Sequence, residues 1–179
     1  MALVLNATVG GSAANTFATA AEMTKYVEGR LNASIWTAAD AQLPALVEAT
    51  HELSMLTWIG TTVTSTQALS WPRQYAEDPD APAGGSTIEY ATNIIPVRVK
   101  HATCELALQF LKGGTTDIAA LPATDGILEK TVDVLTTIYA DPRAQKQGLR
   151  RYPSVMRFIR PLLLYGAGNG NGSIPLVRG

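Results

Sequence analysis

The chain of 179 residues holds one cysteine, Cys104, and two histidines, His51 and His101. A lone cysteine has no intrachain partner for a disulfide, and three such residues scattered along the sequence make no ligand set of zinc spacing. The usage suits a reducing compartment, and neither a metal nor a cofactor is expected. No apolar run approaches the roughly 18 residues that cross a bilayer. The first basic residue is Lys25, so the start MALVLNATVGGSAANTF lacks the charged opening of a secretory signal. A soluble protein without membrane contact is predicted. Catalytic motifs are missing too: there is no G-x-S-x-G, no phosphate-cradling G-x-x-x-x-G-K-S/T and no H-E-x-x-H. His51-Glu52 and the His101/Glu105 pair at i, i+4 imitate acid–base partners. His51, however, flanks an apolar stripe and His101 falls on a polar helix face, so the reading is that the protein is not an enzyme.

What is present fits one domain, because a chain near this length removes about 70% of its unfolded surface from water. Net charge is −1 but unevenly placed: residues 141–179 carry seven Lys/Arg against Asp141 alone, +6, which leaves −7 for residues 1–140. The cluster Arg150, Arg151, Arg157 and Arg160 is suited to phosphates or to an acidic protein partner. The faint overall acidity and the lack of interleaved exposed aromatics argue against a nucleic-acid binder.

Along the chain, the first 18 residues are rich in Gly, Ala, Ser, Asn and Thr with one large anchor, Phe17, the pattern of an extended arm. Thr19 and Glu22 form a T-x-x-E capping box, and Met23, Tyr26, Val27 and Leu31 follow at helical spacing. A second start signal lies at Thr37-Ala-Ala-Asp40. Beyond it Leu43, Leu46, Val47, Thr50 and Leu53 make one stripe opposite Glu48 and Glu52, with Pro44 tolerated in the first turn. The stretch QALSWPR, residues 67–73, sets a tryptophan, a proline and an arginine side by side. By residue chemistry it is a stacking platform for nucleotides, a lid over a pocket, or a rigid turn locking a loop to a core. Residues 75–90, with EDPDAPAGGS among them, read as a solvated loop and an interaction surface or insertion.

Asn93-Ile-Ile-Pro96 leads into a helix that runs to Lys112 and stops at Gly113-Gly114. Val99, Ala102, Thr103, Leu106 and Phe110 line one of its faces and Val97, Cys104, Leu108 and Leu111 another, which implies packing on two sides. From Gly126 a β-branched run with Ile127, Val132, Val134 and Ile138 reads as a hairpin. After the basic link DPRAQKQGLRR, a last helix begins at Pro153 with Val155, Phe158, Ile159 and Leu162 on one face and Arg157 and Arg160 away from it. Pro161 should kink or end that helix. The tail GAGNGNGSIPLVRG is flexible spacing followed by an apolar-plus-basic tip, residues 174–178. The expected fold is mainly α: a bundle of about four helices with a small β-hairpin near residues 126–140 and extended N- and C-terminal arms. Residues 1–165 form one domain and residues 166–179 a flexible tail.

The order of an apolar N-terminal arm, GRLNASIWTAAD, a helix ending in LTWIG, then TQALSWPR, then IIPVRVKHATCELAL resembles the tailed-phage head–tail connector (adaptor) family. Its members also carry the label DnaT-like single-stranded DNA-binding protein. The likeness covers residues 1–112 by motif and continues weakly through the β-rich segment and last helix. The loop at 75–90 and the long glycine tail depart from the family pattern.

The resemblance implies a helical protomer that assembles into a dodecameric ring in the virion neck, built in the host cytoplasm. The portal protein would lie above it and a tail, stopper or tail-terminator protein below, with genomic DNA passing through the lumen without specific binding. On this reading QALSWPR is a structural latch: Trp71 plugs the space under the loop, Pro72 fixes its exit, and Arg73 bridges to a neighbour or a carboxylate. Val97, Cys104, Leu108 and Leu111 would face the next subunit. Arg150, Arg151, Arg157, Arg160 and the tip residues Ile174, Leu176, Val177 and Arg178 would grip the portal. The alternative takes the second label literally, a single-stranded DNA binder using Trp36, Trp58, Trp71 and the basic C-terminal segment.

Overall fold

The computed structural model describes residues 3–31, 33–37, 41–82, 88–114, 129–132, 135–138 and 148–164. Its first helix, α1 (Ala20–Val27), starts where the capping box places it. Thr19 Oγ1 accepts from the Glu22 amide at 3.1 Å and Glu22 Oε2 accepts from the Thr19 amide at 2.8 Å, so two otherwise orphaned donors are satisfied. Met23 and Val27 enter the core, but the helix stops a turn earlier than its apolar spacing suggests. Glu28 turns to an extended conformation, Gly29 takes φ 73°, and Leu31 is left fully exposed.

The short helix α2 (Ala33–Thr37) follows and brings Trp36 inward, its indole nitrogen donating to Thr24 Oγ1 at 3.0 Å. Thr37 therefore closes a helix instead of opening one. Helix α3 (Gln42–Ser54) begins behind Ala41 without a side-chain cap, with Pro44 in its first turn as expected. Its buried stripe is Ala45, Leu46, Ala49, Thr50 and Leu53, while Leu43 and Val47 are half-buried. Thr50 is the polar exception, and it is satisfied twice. Its hydroxyl donates to the Leu46 carbonyl at 2.8 Å and accepts from the Phe17 amide at 3.2 Å.

That second bond ties down the N-terminal segment. Residues 3–18 do not extend as an arm; they fold back on themselves through Asn6 and Asn15. The Asn6 amide donates to Asn15 Oδ1 at 2.7 Å, the Asn15 amide to the Asn6 carbonyl at 2.9 Å, and Asn15 Nδ2 to the Val4 carbonyl at 2.9 Å. Phe17 at the end of this loop is completely buried, the anchor its size suggests.

Helix α4 (Val97–Gly113) is the axis of the fold. Both α3 and α5 pack along it, and every residue from Ala102 to Leu108 is buried, including Glu105. Gly114 ends it at φ 64°, a left-handed conformation that a β-carbon would strain. Two apolar faces do imply two packed sides, but both partners lie within the same protomer. Cys104 and Leu108, expected at a subunit interface, are core residues, and Leu111 is half-buried against them. Of that set only Val97, 64% exposed at the first turn, is free to meet another molecule.

Two small antiparallel ladders complete the described structure. Strands β1 (Thr61–Thr62) and β2 (Arg73–Gln74) pair Thr61 with Gln74 and Thr62 with Arg73. Strands β3 (Glu129–Val132) and β4 (Leu135–Ile138) form the expected hairpin, Val132 opposite Leu135. The last helix, α5 (Pro153–Ile159), has proline at its start and gives way to a 3-10 turn (Arg160–Leu162) at Pro161. Val155, Ile159 and Leu162 are buried, so this helix belongs to the core and is no free arm. The chain then runs alongside Trp58: the Ile59 amide donates to the Leu162 carbonyl and the Leu164 amide to the Thr57 carbonyl, each at 3.0 Å. The mainly helical class stands, with five helices where about four were expected, because burial of Trp36 requires its own short turn. Residues 165–179, which include the tail at 166–179, lie outside the described residues.

Candidate functional site

The QALSWPR stretch resolves into a lock built from one amide, one guanidinium and one indole. Gln67 Oε1 accepts from the amides of Val63 and Thr64 at 3.0 and 3.1 Å, while its Nε2 donates to the carbonyls of Leu69 and Pro72 at 2.7 and 3.1 Å. One side chain thus satisfies four backbone groups that no ladder serves. Arg73 does the same for the approach from α3. Nε donates to the Ile59 carbonyl at 2.7 Å, Nη1 to that of Ser70 at 3.0 Å, and Nη2 to those of Gly60 and Trp58 at 2.6 and 3.5 Å. The expectation that Arg73 bridges to a neighbour or a carboxylate is corrected: its planar fork of donors is spent on main-chain oxygens. Burial lowers its pKa from the usual arginine range.

Gly60 makes the approach possible. It stands at φ 69°, and a β-carbon there would come within 2.3 Å of the Gln74 carbonyl oxygen. Beneath these polar contacts Trp71 is 1% exposed, edge-on to Trp58 at 5.7 Å and to Tyr90 at 6.0 Å. The Trp71 indole nitrogen has no acceptor, whereas that of Trp58 donates to the Leu53 carbonyl at 3.1 Å. Trp71 therefore acts through packing. Pro72 is buried behind a cis peptide bond and stands against Gly10 of the N-terminal loop. Trp36 and Trp58 are 3% and 2% exposed. No indole is presented for base stacking.

Beside the latch lies an open groove of about 520 Å³ between the N-terminal loop, the base of the 75–90 loop and the start of α4. Val9, Ile94 and Val97 line it as exposed apolar side chains. Its polar wall is self-consistent. Arg98 holds Asp80 with both ends of its guanidinium, keeping that carboxyl below the usual carboxylate range. Lys100 pairs with Glu22 at 2.6 Å. Burial and a hydrogen bond with Asp78 push the Tyr90 phenol up. The loop base closes through the Asp78 amide on the Ile88 carbonyl at 2.8 Å and the Tyr90 amide on the Ala76 carbonyl at 2.9 Å. Sequence reasoning missed this groove, since its walls come from three separate stretches. The Ile-Ile-Pro-Val run at the start of α4, of which Ile94 and Val97 are exposed, was the available signal.

A third cluster joins α1, α4 and α5. Glu105, buried on α4, accepts from the Tyr26 hydroxyl at 2.6 Å and pairs with Arg30 at 2.7 Å; Arg157 stands 3.8 Å away. Arg157, which the sequence places away from the apolar face of this helix, also caps the Phe158 ring at 4.8 Å. His101 is held between Tyr26 at 4.7 Å and Phe158 at 5.5 Å. The His101/Glu105 pair is thus taken up in contacts within the protomer. His51 is exposed on α3. Arg150 and Arg160 are exposed on the turns flanking α5, while the Arg151 side chain and Ile174, Leu176, Val177 and Arg178 lie outside the described residues. Burial, then the Glu22 and Glu105 charges, push the Cys104 thiol up to about 12, so it is inert at neutral pH.

Two outcomes are expected. Trp71→Ala should destabilise by about 3–5 kcal/mol, as truncation of a fully buried aromatic does, and a melting temperature matching the parent would show that the latch carries no load. The second concerns pH. Burial first, and then Arg30, hold the His101 pKa below its ordinary value, with Glu105 opposing. The unfolded chain consequently binds this proton more readily than the folded one near an ordinary pKa of about 6.5. That contribution to stability is complete above the unfolded value and is lost as pH falls through the lower folded one. Denaturant midpoints should decline from pH 7 to 5, and His101→Gln should flatten that decline.

Among curated proteins and among solved structures, nothing matches the chain. A match is found with the family described as "Putative DnaT-like ssDNA binding protein", whose model covers residues 1–179, and the chain belongs to that family.

Proposed function

We propose that the protein is a structural adaptor of the tailed-phage neck, a dodecameric ring of this chain that docks on the portal and passes DNA through its lumen. The observation that carries the reading is the groove: the exposed apolar side chains of Val9, Ile94 and Val97 gather at one site, while all three indoles are sealed inside. Solvent-exposed apolar side chains grouped with satisfied charges suit a protein partner. The order of motifs from GRLNASIWTAAD to IIPVRVKHATCELAL supports the same assignment. In this reading Val97 contributes to the contact between subunits, and the exposed Arg150 and Arg160 face an acidic surface of the portal. No catalysis is assigned to the protein.

The family's description favours a second reading, binding of single-stranded DNA. Such proteins present aromatic platforms along a basic track. Tyr75, 66% exposed and held at φ 59°, is the exposed aromatic among the described residues, and Glu77 and Asp78 follow it closely, while Asp80 is already paired with Arg98. That acidic surround repels phosphate, which is why the adaptor reading ranks first.

The two readings part on one pair of measurements. Fluorescence anisotropy with an oligothymidine at near-physiological salt is expected to show no binding. A sub-micromolar affinity that falls by roughly an order of magnitude on doubling the salt would replace the adaptor reading with the second one. Co-sedimentation with portal-bearing capsids is expected for the parent and should drop at least tenfold for the Arg150→Glu/Arg160→Glu variant. Equal attachment of the two would remove the basic edge from the proposal.

A further inference from the structure

We infer that residues 174–178 fold back onto the chain's own groove and cover the apolar surface around Val97, keeping the free protomer monomeric until a partner draws the tail away. The biological purpose of this contact rests on the adaptor reading above; the contact itself rests on chemistry and reach.

The chemistry is complementary. The groove offers Val9, Ile94 and Val97 beside a wall whose cations are already spent, Arg98 on Asp80 and Lys100 on Glu22. Its remaining charge is acidic, from Asp78 within it and from Glu77 and Glu89, bridged across the loop base. The tip Ile-Pro-Leu-Val-Arg is apolar with a single positive charge at its far end. In an extended chain Ile174, Leu176 and Arg178 fall on one side at period two. Two apolar side chains then meet the apolar walls, and the guanidinium lands about 7 Å further on, toward the carboxylates.

Reach selects the occupant. Leu163 bridges Trp58, and Trp58 is joined to Tyr90 in the groove wall by two ring-to-ring steps of 5.7 and 6.0 Å through Trp71. From Leu164 to Ile174 run nine residues, four of them glycine. A glycine-rich coil of that length has a root-mean-square span of about 15–18 Å, on the scale of this distance. Effective concentration is greatest when tether and span match, and it then reaches the millimolar range. A tip with only millimolar intrinsic affinity is thereby bound about half the time, whereas a second copy at micromolar concentration competes poorly.

The test uses the full chain. With Cys104 buried and unreactive, a spin label on Ser173→Cys reports the position of the tip. In isotope-labelled protein it should broaden the amides of residues 94–98. A mixture of spin-labelled unenriched chain with unlabelled enriched chain should show no such broadening. Leu176→Asp should uncover the groove and convert the monomer into a concentration-dependent oligomer by native mass measurement, while adding Val97→Asp should return it to monomer. Absence of broadening at 94–98, broadening only in the mixed sample, or a Leu176→Asp variant as monomeric as the parent would each overturn the inference. Portal-induced ring formation is scored separately. Its failure alongside intramolecular broadening would sink the adaptor reading and leave the tip-to-groove contact standing.

Discussion

The guanidinium of Arg73 is the point on which the described structure turns. Its donors hold the main-chain oxygens of Trp58, Ile59 and Gly60, which follow α3, and of Ser70 in its own stretch. Buried carbonyls without partners cost on the order of 1–3 kcal/mol each, so a single planar cation offsets a set of penalties that no apolar residue could meet. Because those oxygens are fixed, β1 and β2 pair, Gly60 approaches Gln74, and Trp71 is pressed between Trp58 and Tyr90.

From that lock the rest of the architecture follows in both directions. Trp58 and its neighbours receive the end of the α5 segment through the Ile59–Leu162 and Thr57–Leu164 bonds, which returns the C-terminal part of the fold to the middle of the chain. Tyr90, on the other side of Trp71, carries the base of the 75–90 loop onto the start of α4. Pro72 meets Gly10, and Ala68 donates to the Gly11 carbonyl at 3.1 Å, which seats the N-terminal loop. The groove is what remains between three segments that the lock brings together, so its shape is a consequence of the core and does not depend on any ligand.

The Glu105 knot plays the corresponding part at the far side of the bundle. A buried carboxylate is costly unless its oxygens are paired, and here one oxygen gathers a phenol and two arginines from α1, its following turn and α5. Such an arrangement fixes the relative placement of three helices. Arg157 reaches this knot only at its margin, 3.8 Å from the carboxylate, and stays exposed with Arg150 and Arg160 along that edge.

Much of this could be read from residue order alone. The capping box at Thr19, the glycine stop after α4, the proline start of α5 and its end at Pro161, and the β3–β4 hairpin are local, set by a few neighbouring residues, and local rules found them. Burial direction was less legible. Leu31 has helical spacing and is exposed; Cys104 and Leu108 have the spacing of an outward apolar face and are covered by the protomer's own helices. Periodicity states which residues share a face but is silent on what packs there. Gln67 meets groups only two to five residues away, whereas the roles of Arg73 and Glu105 depended on tertiary structure. Arg73 and Glu105 meet partners 14 and 79 residues away, and hydrogen-bond geometry at such separations is set by the packed chain, not by the sequence around either residue.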